Sequence, residues 1–178
     1  MQATTSEHLI GEAKRPGRWG HSVFGIACLL VLLAVREMGG MPFGLVYDPN
    51  RAHCLTNFHL GLFVRHAPAQ LHDDDLVMFK PIPALPYVRD PFILKRVAAV
   101  PGDRILIKDD VVSVNGRPIV HGLPLAGIYK RSVAELARDE IVPPGHVFLI
   151  GDADRSDDSR YWGYLEISKV VGTATRLF

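Results

Sequence analysis

The sequence predicts a mainly β domain behind one N-terminal apolar helix. Three observations carry this reading. Val, Ile and Leu recur in short runs, and 13 prolines and 16 glycines break the 178 residues between them. Asn115-Gly116 sits between two such runs and is a two-residue hairpin signal. The apolar stretch at 23–35 shows no polar stripe, unlike a helix packed on a soluble core.

Length allows one domain of ordinary size and a short appendage. A net charge of +1 gives no bulk electrostatic case for a nucleic-acid partner. Cys28 and Cys54 make no disulfide framework, and no Cys/His spacing suggests zinc. No metal or cofactor is expected.

Residues 1–18 are polar and end in the basic cluster Lys14-Arg15-Pro16-Gly17-Arg18. Residues 19–35, at about 1.5 Å each, would span roughly 26 Å, slightly less than a hydrocarbon core of about 30 Å. Trp19 suits the interface, and the basic cluster predicts a cytoplasmic N-terminus. The rival is a cleaved export signal, but no clear small-x-small site precedes Arg36-Glu37, so 19–36 reads as a retained anchor. On either reading the domain at 42–178 is exported, after a hinge at 39–44.

Within that domain, strands are expected at 45–47, 60–64, 76–79, 92–100, 104–108, 111–114, 118–120, 147–150 and 169–178. Asp73-Asp74-Asp75, Pro101-Gly102-Asp103 and Asp109-Asp110 read as turns. The segment with Pro81, Pro83, Pro86 and Pro91 is irregular, since proline cannot donate to a ladder. Ser132, with Glu135 three residues later, caps a helical turn over 132–138.

Two stretches carry candidate chemistry. Period-two alternation puts Ile93, Lys95, Val97 and Ala99 on one strand face. Lys95 is then either an edge residue reaching water or a lysine held where its charge is costly. Residues 151–163, Gly-Asp-Ala-Asp-Arg-Ser-Asp-Asp-Ser-Arg-Tyr-Trp-Gly, follow an apolar run and form a polar loop. Its carboxylates, hydroxyls and guanidinium groups must largely satisfy one another.

Ser156-x-Asp158-Ser159-Arg160-x-x-Gly163, introduced by Gly151-Asp152, resembles the last box of the type I signal peptidases, the serine–lysine proteases of family S26. It has one residue fewer than the common form between Gly-Asp and Ser. Lys95-Arg96-Val97-Ala98-Ala99-Val100-Pro101-Gly102-Asp103 resembles the lysine box of the same family. The resemblance implies that Lys95 is a catalytic base, that Ser156 supports it, and that Asp158 and Arg160 form a bracing salt bridge. It implies a signal-peptidase-like (LexA-like) complex β-fold. Small size, a single anchor and Phe43-Gly44-Leu45-Val46-Tyr47-Asp48 look more like the TraF-type conjugative transfer peptidases than the housekeeping enzyme. A lysine that acts as base near neutral pH must lose its proton, which costs about 4 kcal/mol from an ordinary pKa of about 10.4.

The nucleophile departs from the family pattern of Ser-x-x-Pro or Ser-x-Pro. No serine lies between Ser22 and Ser113. In one register Cys54-Leu55-Thr56 fills the place, with Cys54 for serine. In the other, counted back from Gly61-Leu62-Phe63, the position is Asn57, which would be inert. An ordinary thiol ionises far more readily than a hydroxyl, so a Cys54/Lys95 pair asks less of the lysine. His53 would point away from its neighbour Cys54 in an extended segment, and His59, His66 and His72 are further candidate bases. The bland alternative makes Cys54 a small buried hydrophobe.

The resemblance implies a peptidase on the periplasmic side of the bacterial inner membrane. It would process exported preproteins or a pilin precursor beside conjugative type IV secretion components. The rival class is a catalytically inactive relative that binds preproteins or scaffolds a secretion complex.

Overall fold

The structure, a computed structural model, describes residues 23, 25–31, 33–34, 42–47, 54–56, 58–66, 68–85, 88 and 91–177. The chain forms two compact units, 1–41 and 42–178. In the first, the described residues from 23 to 34 are helical, and Val23, Ile26, Leu29, Leu30, Val31 and Leu33 are exposed. No helix among the described residues is long and apolar enough to cross a membrane. The tail at 1–18, the remaining anchor positions and the hinge as far as Met41 lie outside the described residues.

The second unit is mainly β. One sheet runs in the order β1 (Phe43–Tyr47), β2 (Leu60–Arg65), β11 (Val170–Arg176), β3 (Leu76–Phe79), β4 (Ile93–Ala99), β9 (His146–Ile150), β10 (Leu165–Glu166). The other runs β7 (Arg117–His121), β6 (Val111–Val114), β5 (Arg104–Lys108), β8 (Arg138–Ile141). All pairings are antiparallel.

The uniformly apolar Val147-Phe148-Leu149-Ile150 has a plain reason: β9 is buried on both faces. Val147 and Leu149 pack with Val77, Phe79 and Val97. Phe148 and Ile150 pack with Ile105, Ile107 and Val112 of the smaller sheet. β9 therefore joins two cores and delivers the chain, at its end, into the polar loop. Elsewhere one sheet face stays bare. Phe43, Leu45 and Tyr47 of β1 are exposed, and so are Leu62 and Val64 of β2, paired across from them.

The hairpin expected at Asn115-Gly116 joins β6 to β7, both residues having positive φ of 50° and 80°. Asp109-Asp110, at 50° and 67°, makes the same kind of turn between β5 and β6. The capping box is present: Ser132 Oγ accepts from Glu135 N, and the Glu135 carboxylate accepts from Ser132 N.

Three expectations need correction. A bulge in β4 pairs Val97 with Leu149 but Ala99 with Phe148. The extra residue, Ala98, moves Ala99 off the Lys95 face into the other core. The turn after Ser132 stops at Leu136, and Arg138 opens β8, where Asp139 takes two hydrogen bonds from Arg104 of β5. Lys169 ends a 3-10 turn rather than starting the last strand.

Gly116→Ala is expected to cost about 1 kcal/mol in urea unfolding, because alanine resists the positive φ that the turn demands. An unchanged midpoint would show that the turn does not hold the hairpin.

Candidate active site

Beyond Ile150 the chain must leave a buried strand carrying several charged groups, and it does so by pairing them. Arg160, on the helical turn Ser159–Trp162, is fully buried, as is Asp158. Arg160 Nε donates to Asp158 Oδ1 at 2.8 Å and Nη2 to Oδ2 at 2.9 Å. The remaining guanidinium donors meet backbone carbonyls: Nη1 reaches Gly122, and Nη2 reaches Ser156 and, longer, Asp154. Asp158 also accepts from the backbone of Gly151 and of Arg160. Burial works against the Arg160 cation, but the hydrogen bonds and charge of Asp158 outweigh it and raise its pKa. Ser159 Oγ accepts from Leu149 N at 2.9 Å and ties the turn back to β9.

That brace fixes the carbonyl of Ser156, whose side chain faces Lys95. Ser156 and Lys95 are 1% and 2% exposed, and Lys95 Nζ donates to Ser156 Oγ at 2.8 Å. Lys95 lies across from Val77 of β3. Among the described residues no carboxylate comes within ion-pair distance of its amine. The lysine is thus of the enclosed kind, not one reaching out to water.

Cys54 approaches the same loop by its backbone. Its carbonyl accepts from Asp152 N at 2.6 Å and Ala153 N at 3.3 Å. A Cβ placed on Gly151 would come closer than 3.0 Å to both the Cys54 carbonyl oxygen and Ser156 Oγ. Only glycine lets these two segments converge. Cys54 is free and exposed, which rules out the buried-hydrophobe reading. Leu55 next to it is buried with Phe58, Leu76 and Ala174, and anchors the segment. The alternative position Asn57, like His53, lies outside the described residues. His66 and His72 are exposed, His66 Nδ1 lying 3.1 Å from the Val64 carbonyl and His72 beside Asp75.

Sequence reasoning missed four residues here. Asp152 accepts from Thr56 N, from Thr56 Oγ1 and from Arg96 Nε, and Arg96 Nη1 reaches Asp74. These residues line a cleft of about 590 Å³. The available signal was the Asp of Gly151-Asp152 together with Arg96 beside Lys95.

Asp157, next to the brace, accepts from Tyr129 Oη at 2.6 Å. Burial first, and then the neighbouring Asp158 charge, push its pKa up to about 6. Its Oδ2 and the Trp162 indole N–H are buried without a well-formed hydrogen bond, so the pull of the indole only partly offsets this.

Two outcomes follow from these charges. Asp158→Asn leaves a buried guanidinium uncompensated and should cost about 3–5 kcal/mol in urea unfolding; a loss below 1 kcal/mol would mean that the brace is not needed. The native state holds the Asp157 proton more tightly than the unfolded chain, whose ordinary value is 3.8. This group's contribution is therefore full below about pH 4 and lost as pH rises through 6. Asp157→Asn should match wild type at pH 4 and exceed its stability at pH 7.5. Equal Tm differences at both pH values would contradict that sign.

A family model described as signal peptidase, peptidase S26, matches residues 19–178. The chain is 36% identical over 91 residues to a signal peptidase I of Bacillus caldolyticus, covering 44% of this chain and 49% of that protein. It is 31% identical over 110 residues to a signal peptidase I of Leptolyngbya laminosa, covering 58% and 51%. It is 36% identical over 87 residues to the conjugal transfer protein TraF of Agrobacterium fabrum, covering 48% of each. The chain thus spans about half the length of these curated relatives.

Proposed function

The chain belongs to the signal peptidase family, peptidase S26, and from that premise we propose that it is a membrane-anchored peptidase working through a Cys54/Lys95 pair. Its substrates are exported preproteins or a conjugative pilin precursor. The observation that supports this best is the enclosed Lys95 amine held by Ser156 on a braced loop whose backbone also takes the Cys54 carbonyl. Lys95 Nζ takes the proton of the Cys54 thiol, and the sulfur attacks the scissile carbonyl to form a tetrahedral adduct. The Cys54 N–H, which meets no acceptor among the described residues, is available to the developing oxyanion. As the adduct collapses to a thioester, the lysine ammonium protonates the departing amine. Water, or a second amine in transpeptidation, then releases the acyl group and restores the thiol. Ser156 orients the amine throughout, and Asp158–Arg160 keeps Ser156 in place.

This reading takes 1–18 as a cytoplasmic tail, 19–36 as the anchor, and 42–178 as a periplasmic catalytic domain of signal-peptidase-like, LexA-like fold. The apolar residues exposed between Val23 and Leu33, and separately those on the β1–β2 face, suit work at a bilayer surface. A signal peptide's cleavage point emerges there, so confinement raises the effective concentration of enzyme near substrate. The missing serine favours one rival, a non-catalytic relative that binds preproteins or scaffolds a secretion complex with its fold intact.

With the full chain in membranes and a preprotein or pilin precursor as substrate, Cys54→Ala and Lys95→Ala should each lower cleavage at least about a thousandfold. Cys54→Ser should keep part of the activity. Full cleavage by either alanine variant removes the mechanism. Absence of cleavage in wild type, with substrate still bound, supports the scaffold.

A further inference from the structure

We propose that Asp152 is a positioning residue, clamping the Cys54–Thr56 segment onto the loop that carries Ser156. This deepens the Cys54 reading above and rests on it. Residues 54–56 belong to no strand, so ladder hydrogen bonds do not hold them. Leu55 is buried and anchors the middle of the segment. Asp152 touches the segment on both sides of Leu55. Its backbone N–H donates to the Cys54 carbonyl at 2.6 Å. Its carboxylate Oδ2 accepts the Thr56 N–H at 3.1 Å and the Thr56 hydroxyl at 3.3 Å.

The carboxylate is itself held. Oδ1 accepts from Arg96 Nε at 3.1 Å, and the same guanidinium spans to Asp74 Oδ1 at 2.9 Å. Arg96 follows Lys95 on β4, so the strand that supplies the base also fixes the clamp. A shift of Lys95 relative to Cys54 would have to break this linkage. Such coupling matters because misplacing reacting atoms by about 1 Å can cost about a hundredfold in rate. The clamp lies outside the apolar cores: the Asp152 and Arg96 side chains are 19% and 26% exposed, along the cleft. Its loss should therefore disturb geometry at Cys54 more than global stability.

The test is Asp152→Ala in the full chain, read by hydrogen exchange at the Thr56 amide and by kcat and KM separately. Thr56 exchange should rise at least about tenfold, with the β4 and β9 amides unchanged. The kcat should fall roughly tenfold to a hundredfold with KM within about twofold, the loss typical of a hydrogen bond to a charged group. Asp152→Asn keeps an acceptor for Thr56 and should recover part of both. Arg96→Gln, which frees the carboxylate without removing it, should change both in the same direction by less, and stands in if Asp152→Ala does not fold. Wild-type Thr56 exchange in Asp152→Ala and Arg96→Gln, or a loss confined to KM, overturns the clamp. Full activity of Cys54→Ala would instead overturn the nucleophile assignment, so the two failures are distinguishable.

Discussion

A guanidinium with no access to water has to find a partner for every donor, and the loop after β9 is shaped by that requirement at Arg160. Asp158 takes two of its hydrogen bonds, and the carbonyls of Gly122, Ser156 and Asp154 take the rest. Each partner comes from a different point of the chain, so satisfying one side chain locks the connection after β7, the middle of the loop and the helical turn together. A buried ion pair is poor value as stabilisation compared with apolar packing. Its effect here is geometric: it sets where the Ser156 backbone lies, and through Ser156 Oγ where the Lys95 amine rests.

Around that brace the fold is arranged asymmetrically. β9 is apolar on both faces and belongs to two cores, while β1 and β2 keep an apolar face exposed. The rigid end carries the lysine and its partner. The nucleophile candidate arrives on an irregular segment with one buried anchor, Leu55, and polar ties to Asp152. Under the proposed function, a base held within the sheet and a nucleophile on a tethered segment suit the entry of an extended polypeptide.

Much of this is legible in the residues themselves. Strands with clean apolar patterning and explicit turns, such as β5 and β6 with Asp109-Asp110 and Asn115-Gly116, match the reading closely. The Asp158–Arg160 pair and the Lys95–Ser156 contact are implied by the resemblance of the two boxes to the signal peptidase family, and both contacts are present. What escapes is set by tertiary context. β8, Arg-Asp-Glu-Ile, has no apolar alternation; it is held by its backbone pairing along β5, and Asp139 adds a side-chain tie to Arg104. The β4 bulge leaves no mark in local composition, since Ala98 and Ala99 suit either face. The Asp152–Arg96–Thr56 linkage joins three distant positions, and nothing in the local sequence of any one of them names the other two as partners.

The central claim is that Cys54 carries the acyl group. The full chain, mixed with preprotein and quenched in acid, should yield a Cys54 peptide heavier by the acyl fragment of the cleaved substrate when digested and weighed by mass spectrometry. Hydroxylamine should remove that mass, as a thioester requires. An unmodified Cys54 peptide during active turnover, or an adduct on another residue, would contradict the account.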